Sequence, residues 1–200
     1  SNKQLNFLQH IYRSLKTTGT ARAAVVLPDN VLFEDNTGQK IRRDLMSKCN
    51  LHTILRLPTG IFYAQGVKTN ILFFTRGKHD EDNTKAVWVY DLRSDMRSFG
   101  KTNPLKKEDF AEFESLYCAE HFEDRKETWS PENPNGRWRK FPIEEILKDE
   151  KTSLDLKWIK DDTGAVDCSL AELMQTIQEK SANIAAAVTE LSKLIEGIEE

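Results

Sequence analysis

The sequence predicts an α/β protein: a mostly parallel sheet with helices packed on it, followed by a separate helical tail. Three observations carry this. Helix-period and strand-period segments alternate from residue 4 to residue 57, short unbroken apolar runs supply the strands, and a heptad repeat fills the last thirty or so positions.

The elements follow in order. Residues 4 to 16 put Leu5, Leu8, Ile11, Tyr12 and Leu15 on one helical face, and Gly19 follows as a stop. Ala23 to Leu27 (AAVVL) is a continuous apolar run, the pattern of a strand buried on both faces. Gln39 to Cys49 is a second amphipathic helix through Ile41, Leu45 and Met46, and Leu51 to Leu57 and Asn70 to Arg76 are strands. About a dozen residues without helical pattern join these two strands, too few for a crossover helix, so they are expected to pair antiparallel. Ala86 to Leu92 is a further strand. Beyond Arg93 come a basic loop, a helix near Lys107 to Tyr117, and Pro- and Asn-rich sequence from Ser130 to Gly136. Ser169 and Glu172 then form a capping box. Leu170, Met174, Ile177, Ser181, Ile184, Val188, Leu191, Ile195 and Ile198 continue in steps of four and three. Such a helix spans about 45 Å, and its seam is read as a surface for a partner helix, the alternative being a terminal helix folded back on its own domain.

Composition bounds the function. Hydrophobic residues make up 38% and charged residues 30%, with a net charge of −3, so no overall basic field advertises a nucleic-acid partner and any such contact must be local. No apolar run approaches a membrane span and no stretch reads as a signal peptide, which favours a cytoplasmic protein. Cys49, Cys118 and Cys168 are widely spaced and odd in number, against a disulfide framework. The pairs Cys49–His52 and Cys118–His121 have zinc-ligand spacing. Cys49, however, lies where a helix runs into a strand, the usual place of a buried structural thiol, and no metal site is assigned.

The candidate site lies at the strand ends. Leu27-Pro28-Asp29-Asn30 and Leu57-Pro58-Thr59-Gly60 both stop a strand with Leu-Pro, and ligands bind outside the carboxyl ends of parallel strands. Asp29 and Asn30 are ligand-edge candidates there, although Asp-Asn is also ordinary turn chemistry. The connector LPTGIFYAQGVKTNILFF spends Phe62, Tyr63, Gly66 and Lys68 where hairpins normally carry Gly, Asn and Asp. No Gly-rich phosphate loop, G-x-S-x-G elbow or H-E-x-x-H is present.

AAVVLPDNVLFED, IRRDLMSKCNLHTILRLPTGIFYAQGVKTNILFFTRG and VWVYDLRSDM together resemble the modification (methyltransferase) subunit of type I restriction–modification systems. The similarity continues through Phe99-Gly100-Lys101-Thr102, Gly136 to Phe141 and Ser153-Leu154-Asp155, and so covers nearly the whole chain. The resemblance implies a fold: the C-terminal part of a Rossmann-like methyltransferase sheet, with its last parallel strand and an antiparallel hairpin, then a mixed extension and a long amphipathic helix. It implies three segments, 1–92, 93–165 and 166–200. It implies adenine-N6 DNA methylation with S-adenosylmethionine, in assembly with a specificity subunit and a restriction subunit. The family's Gly-rich cofactor loop and its Asn-Pro-Pro-aromatic motif have no counterpart here; Asn103-Pro104 and Asn133-Pro134 lack the second proline. The chain by itself is therefore expected to hold no catalytic residue, to bind no cofactor and to be inactive.

The resemblance also gives the connector a role. Phe62 falls where related enzymes place a ring that stacks on a flipped adenine, with Tyr63, Gly66 and Lys68 as further target-loop positions; the alternative is that Phe62 and Tyr63 cap the hairpin. Arg137, Arg139 and Lys140 are candidate DNA-backbone contacts, against a solvated surface with aromatic anchors beneath. Leu170, Met174, Ile177, Ile184, Val188, Leu191, Ile195 and Ile198 are candidates for docking the specificity subunit. An AAVVL strand deprived of its sheet neighbour is expected to leave an open edge, with the chain either pairing with a second copy through that edge or the terminal helix, or leaving that region poorly ordered. The competing readings are a non-catalytic assembly module and an unrelated α/β ligand-binding domain.

Overall fold

The computed structural model describes residues 2–62 and 66–159, together with residues 178, 181, 184, 185 and 188. The chain divides into two units, Ser1–Asp162 and Thr163–Glu200.

In the first unit, helix α1 (Lys3–Ser14) starts at Asn2, whose side chain accepts from the amides of Gln4 and Leu5 at 3.0 and 3.2 Å. Strand β1 (Arg22–Pro28) follows, then the short helix α2 (Asn30–Phe33) and helix α3 (Thr37–Lys48), which runs directly into β2 (Cys49–Arg56). Strands β3 (Thr69–Arg76) and β4 (Ala86–Asp91), helix α4 (Ala111–Tyr117), strand β5 (Trp138–Pro142) and helix α5 (Ile143–Lys148) complete it.

The strands form one five-stranded sheet in the order β1-β3-β2-β4-β5. The expected antiparallel pairing of β2 with β3 is present, but the sheet is mixed rather than mostly parallel. Only β2 and β4 are parallel neighbours; β1–β3, β2–β3 and β4–β5 are antiparallel. The reason is topological. The returning hairpin strand β3 inserts between β1 and β2, so these two strands of like direction never touch each other.

Burial on both faces, expected of AAVVL, belongs to β2 instead, where every residue but Asn50 is buried. In β1 exposure alternates: Ala23 and Val25 pack on the core, while Ala24 is exposed and Val26 is 50% exposed. β1 is an edge strand whose only ladder among the described residues is with β3, and helices cover one of its faces. The expectation of an unpaired edge therefore holds, and that of two buried faces does not.

Alternation splits the core in two. Ile54, Leu72, Phe74, Val87 and Val89 face a cluster with Leu5, Leu8 and Tyr12 of α1 and Ile41 and Leu45 of α3. Leu55, Trp88 and Tyr90 face the other layer, with Phe113 of α4 and Trp138 of β5. The ring of Trp138 is fully buried and stacks on Trp88 at 5.3 Å. β5 was not read from the sequence.

In the second unit the described residues Gln178, Ser181, Ile184, Ala185 and Val188 are helical, and Ile184 and Val188 are well exposed. The other proposed docking positions, Leu170, Met174, Ile177, Leu191, Ile195 and Ile198, lie outside the described residues. No helix is long and apolar enough to cross a membrane among the described residues.

Candidate functional site

The loop from Leu57 to Thr69 leaves the carboxyl end of β2 beside the end of β1. Its feet are joined by the Leu57 amide donating to the Thr69 carbonyl at 3.0 Å, and the Asp29 amide donates to Lys68 O at 3.0 Å. The loop carrying Phe62 and the Leu-Pro-Asp-Asn turn of β1 thus meet at one edge of the sheet, as the sequence suggests.

Phe62 is 43% exposed and lines a cavity of about 720 Å³. The facing wall is Gly100, Lys101, Pro104, Leu105 and Phe110, with Leu57, Ile61 and Ile71 at the floor. Gly60 closes the join. Its φ is +82°, and a Cβ there would lie 2.1 Å from the Phe99 carbonyl oxygen, so only glycine permits this turn and this contact. Gly66 is different: a Cβ there would meet nothing within 4 Å among the described residues, whose packing does not demand glycine. Val67 and Lys68 are exposed, and Tyr63 lies outside the described residues.

Asp29 is held rather than free. Burial raises its pKa, but hydrogen bonds and charge from Arg93, the Asn70 amide and the Arg56 charge outweigh this and leave it below the usual carboxylate range. The Arg93 guanidinium meets it two-pronged at 2.8 and 2.9 Å, and Asn70 Nδ2 donates to it at 2.7 Å. Asn30 makes one long bond, Nδ2 to Glu34 Oε2 at 3.4 Å. Beneath lies a buried ion pair, Arg56 to Asp91 at 2.8 Å.

The basic and aromatic segment divides. Arg137 donates to the carbonyls of Asp91, Ser94 and Asp95 at 2.9, 2.8 and 3.2 Å, so its guanidinium is engaged in holding the turn after β4. Arg139 lies over the Trp129 ring at 3.6 Å, with Phe141 at 4.9 Å. Lys140 is exposed. Neither the Arg139 nor the Lys140 side chain forms an ion pair with a carboxylate among the described residues, although the Lys140 amide donates to Glu127 Oε1 at 2.8 Å.

The two Cys-x-x-His pairs do not converge: no group of three or more metal-ligating side chains occurs among the described residues. Cys49 is fully buried, and burial pushes its thiol up to about 11. His52 instead fills a β-bulge between Leu51 and Thr53, with its ring on Phe122 at 4.4 Å. The sequence presents Gly60 only as part of the Leu-Pro-Thr-Gly turn, Phe99 to Thr102 only as part of the resemblance and Arg93 only at the start of a basic loop, and assigns none of them to this cavity. Gly60 follows Leu-Pro-Thr, a turn signal; nothing local marks Arg93, because its partners are distant in the chain.

The family profile described as N-6 DNA Methylase matches residues 1–151. The type I restriction enzyme EcoKI methylase subunit of Escherichia coli (strain K12) is 46% identical across 98% of this chain and 41% of its own length. The StySJI methylase subunit of Salmonella typhimurium (strain LT2) is likewise 46% identical, over the same shares. A crystal structure of the EcoKI M protein has a TM-score of 0.72, at 46% identity, across 95% of this chain and 44% of that one. A structure described as showing complex assembly and conformational transition of the type I R-M system has a TM-score of 0.65 at 31% identity, across 96% and 39%. The chain thus spans about two fifths of the length of these curated relatives. With a profile match over more than half of its residues, this chain belongs to the N-6 DNA methylase family.

Proposed function

We propose that the chain is the target-base and assembly portion of a type I adenine-N6 DNA methyltransferase subunit, and that residues 57–69 form one wall of the pocket that receives a flipped adenine. The observation that carries this is the position of Phe62: a half-exposed ring beside a large apolar cavity at the carboxyl ends of the strands. A buried or capping phenylalanine would not stand free there. Base–aromatic stacking is worth about 1–3 kcal/mol per base, enough to offset part of the cost of unstacking adenine from the duplex. Lys68, exposed in the same loop, is the candidate for a phosphate or the base edge, and Tyr63 and Gly66 are further positions of that loop.

In this reading S-adenosylmethionine supplies the methyl group to the whole subunit. Among the described residues the lining does not fit that cofactor: Lys101 is the one charged side chain lining the cavity, no carboxylate lines it to receive ribose hydroxyls, and Asp29 is spent on Arg93. The part played by this chain is then to accept and orient the base. Residues 1–92 end the catalytic domain, 93–165 form a family-specific extension, and 166–200 dock the specificity subunit. The restriction subunit and DNA join through the assembled complex, in the cytoplasm. Arg139 and Lys140 remain available for the DNA backbone, whereas Arg137 has its donors in use.

In the full subunit joined to the specificity subunit, Phe62→Ala should weaken binding of DNA with a mismatched target adenine about tenfold and lower methylation. Unchanged adenine binding and rate would overturn the assignment. A second role, assembly, is favoured by the exposed Ile184 and Val188. Co-purification with the specificity subunit, lost on deleting residues 169–200, supports it; retention of the complex refutes it.

A further inference from the structure

We infer that Arg93 is a positioning residue for the target-base loop, holding both feet of that loop so that Phe62 is presented in one orientation; the inference rests on the target-loop reading above. Arg93 is buried, with its side chain 5% exposed. Its Nε donates to the Leu57 carbonyl at 2.8 Å and its Nη2 to the Thr69 carbonyl at 2.7 Å. These are the residues at which the loop leaves β2 and enters β3. The remaining face of the guanidinium grips Asp29, whose own amide holds Lys68 O. One planar group therefore ties the start of the loop, its end and the neighbouring strand end.

The arginine is itself fixed from behind. Its amide donates to Asp91 Oδ1 at 2.8 Å, and Arg137 donates to the Asp91 carbonyl at 2.9 Å. This gives Arg137 a function through Arg93 rather than toward DNA. Carbonyls at two loop feet and a carboxylate, taken by Nε, Nη1 and Nη2 together, match the fixed fork of arginine. A lysine supplies a point charge that satisfies Asp29 and leaves at least one foot unheld. Displacing a stacking ring by about 1 Å costs on the order of a hundredfold in rate when it orients the reacting group. Binding of the flanking DNA does not depend on it.

The test compares Arg93→Lys with Phe62→Ala in the full subunit joined to the specificity subunit. Three readouts are needed: amide hydrogen exchange, fluorescence of 2-aminopurine at the target adenine, and the separation of kcat from KM. Arg93→Lys is expected to speed exchange of the Leu57 amide while Ile54 and Leu72 keep their protection. The 2-aminopurine signal should fall several-fold and kcat about ten- to a hundredfold, with KM within a factor of two or three. Arg93→Ala, which strands Asp29 without its partner, should add a loss of thermal stability. Unchanged Leu57 exchange and unchanged kcat in Arg93→Lys would overturn the proposal. So would faster exchange throughout β2 and β3, which marks a merely structural arginine. Faster Leu57 exchange with an unaltered 2-aminopurine signal in both variants would instead refute the target-loop reading, and Arg93's positioning role with it.

Discussion

His52 shows how one residue is set by its surroundings. Burial, and then the positive charges of Arg125 and Arg22, hold its imidazole down to about 3. The unfolded chain titrates it near the ordinary value of about 6.5. Between these values the unfolded state binds the extra proton. The contribution of His52 is therefore complete above about pH 6.5 and is lost as pH falls toward 3. Asp29, depressed by Arg93, loses its contribution at lower pH still, below the ordinary carboxylate value. Urea midpoints should thus decline from about pH 6.5 downward. In His52→Gln the decline above about pH 4 should flatten while the more acidic part persists. Gly60 offers a second residue-scale prediction. Gly60→Ala forces a Cβ onto the Phe99 carbonyl at a positive φ, and should cost more than about 1 kcal/mol by chemical denaturation while perturbing NMR shifts on both sides of the cavity. The Leu-Pro-Thr-Gly string hints at a turn there. The clash partner, Phe99, is distant in the chain and leaves no local trace.

At the scale of elements, α1, α3, β2, β3, β4 and α4 are legible because period is local. The cap of α1 by Asn2 appears only in the structure, and Asn2→Ala should cost about 1 kcal/mol in thermal or chemical unfolding. β5 is hidden for the opposite reason. Trp138-Arg139-Lys140-Phe141 alternates only loosely and sits behind Pro- and Asn-rich sequence, so it reads as a basic surface. Its strand state comes from the ladder with β4 and from Trp138 filling the layer between Trp88 and Phe113. Trp138→Ala should accordingly cost about 3–5 kcal/mol. Trp138→Phe should cost well under that, since the indole N–H is buried with no hydrogen-bond partner to lose among the described residues. A similar loss for both variants in equilibrium unfolding would mean that shape, not apolar volume, governs the site. The misreading of AAVVL belongs here as well. An unbroken apolar run marks a strand facing apolar groups on both sides only when both sides are covered, and β1 has helices on one.

For the whole molecule, the outer edge of β1, unpaired among the described residues, and its exposed Val26 predict self-association. Analytical ultracentrifugation of the chain should show concentration-dependent association that Val26→Lys suppresses; a monomer at every concentration would count against it. Calorimetry should detect no S-adenosylmethionine binding by the chain, and a saturable signal would show that the cavity residues suffice. By itself the sequence determined the order of the main elements as far as β4, the antiparallel hairpin, the family and the loop that carries Phe62, because those rest on local periodicity and on contiguous motifs. Only the tertiary structure decided the mixed order of the sheet, the cavity wall of Gly100 to Phe110, and the grip of Arg93 on both feet of the loop. Each of these joins residues far apart in the chain, and a guanidinium chooses its acceptors by geometry that no local pattern encodes.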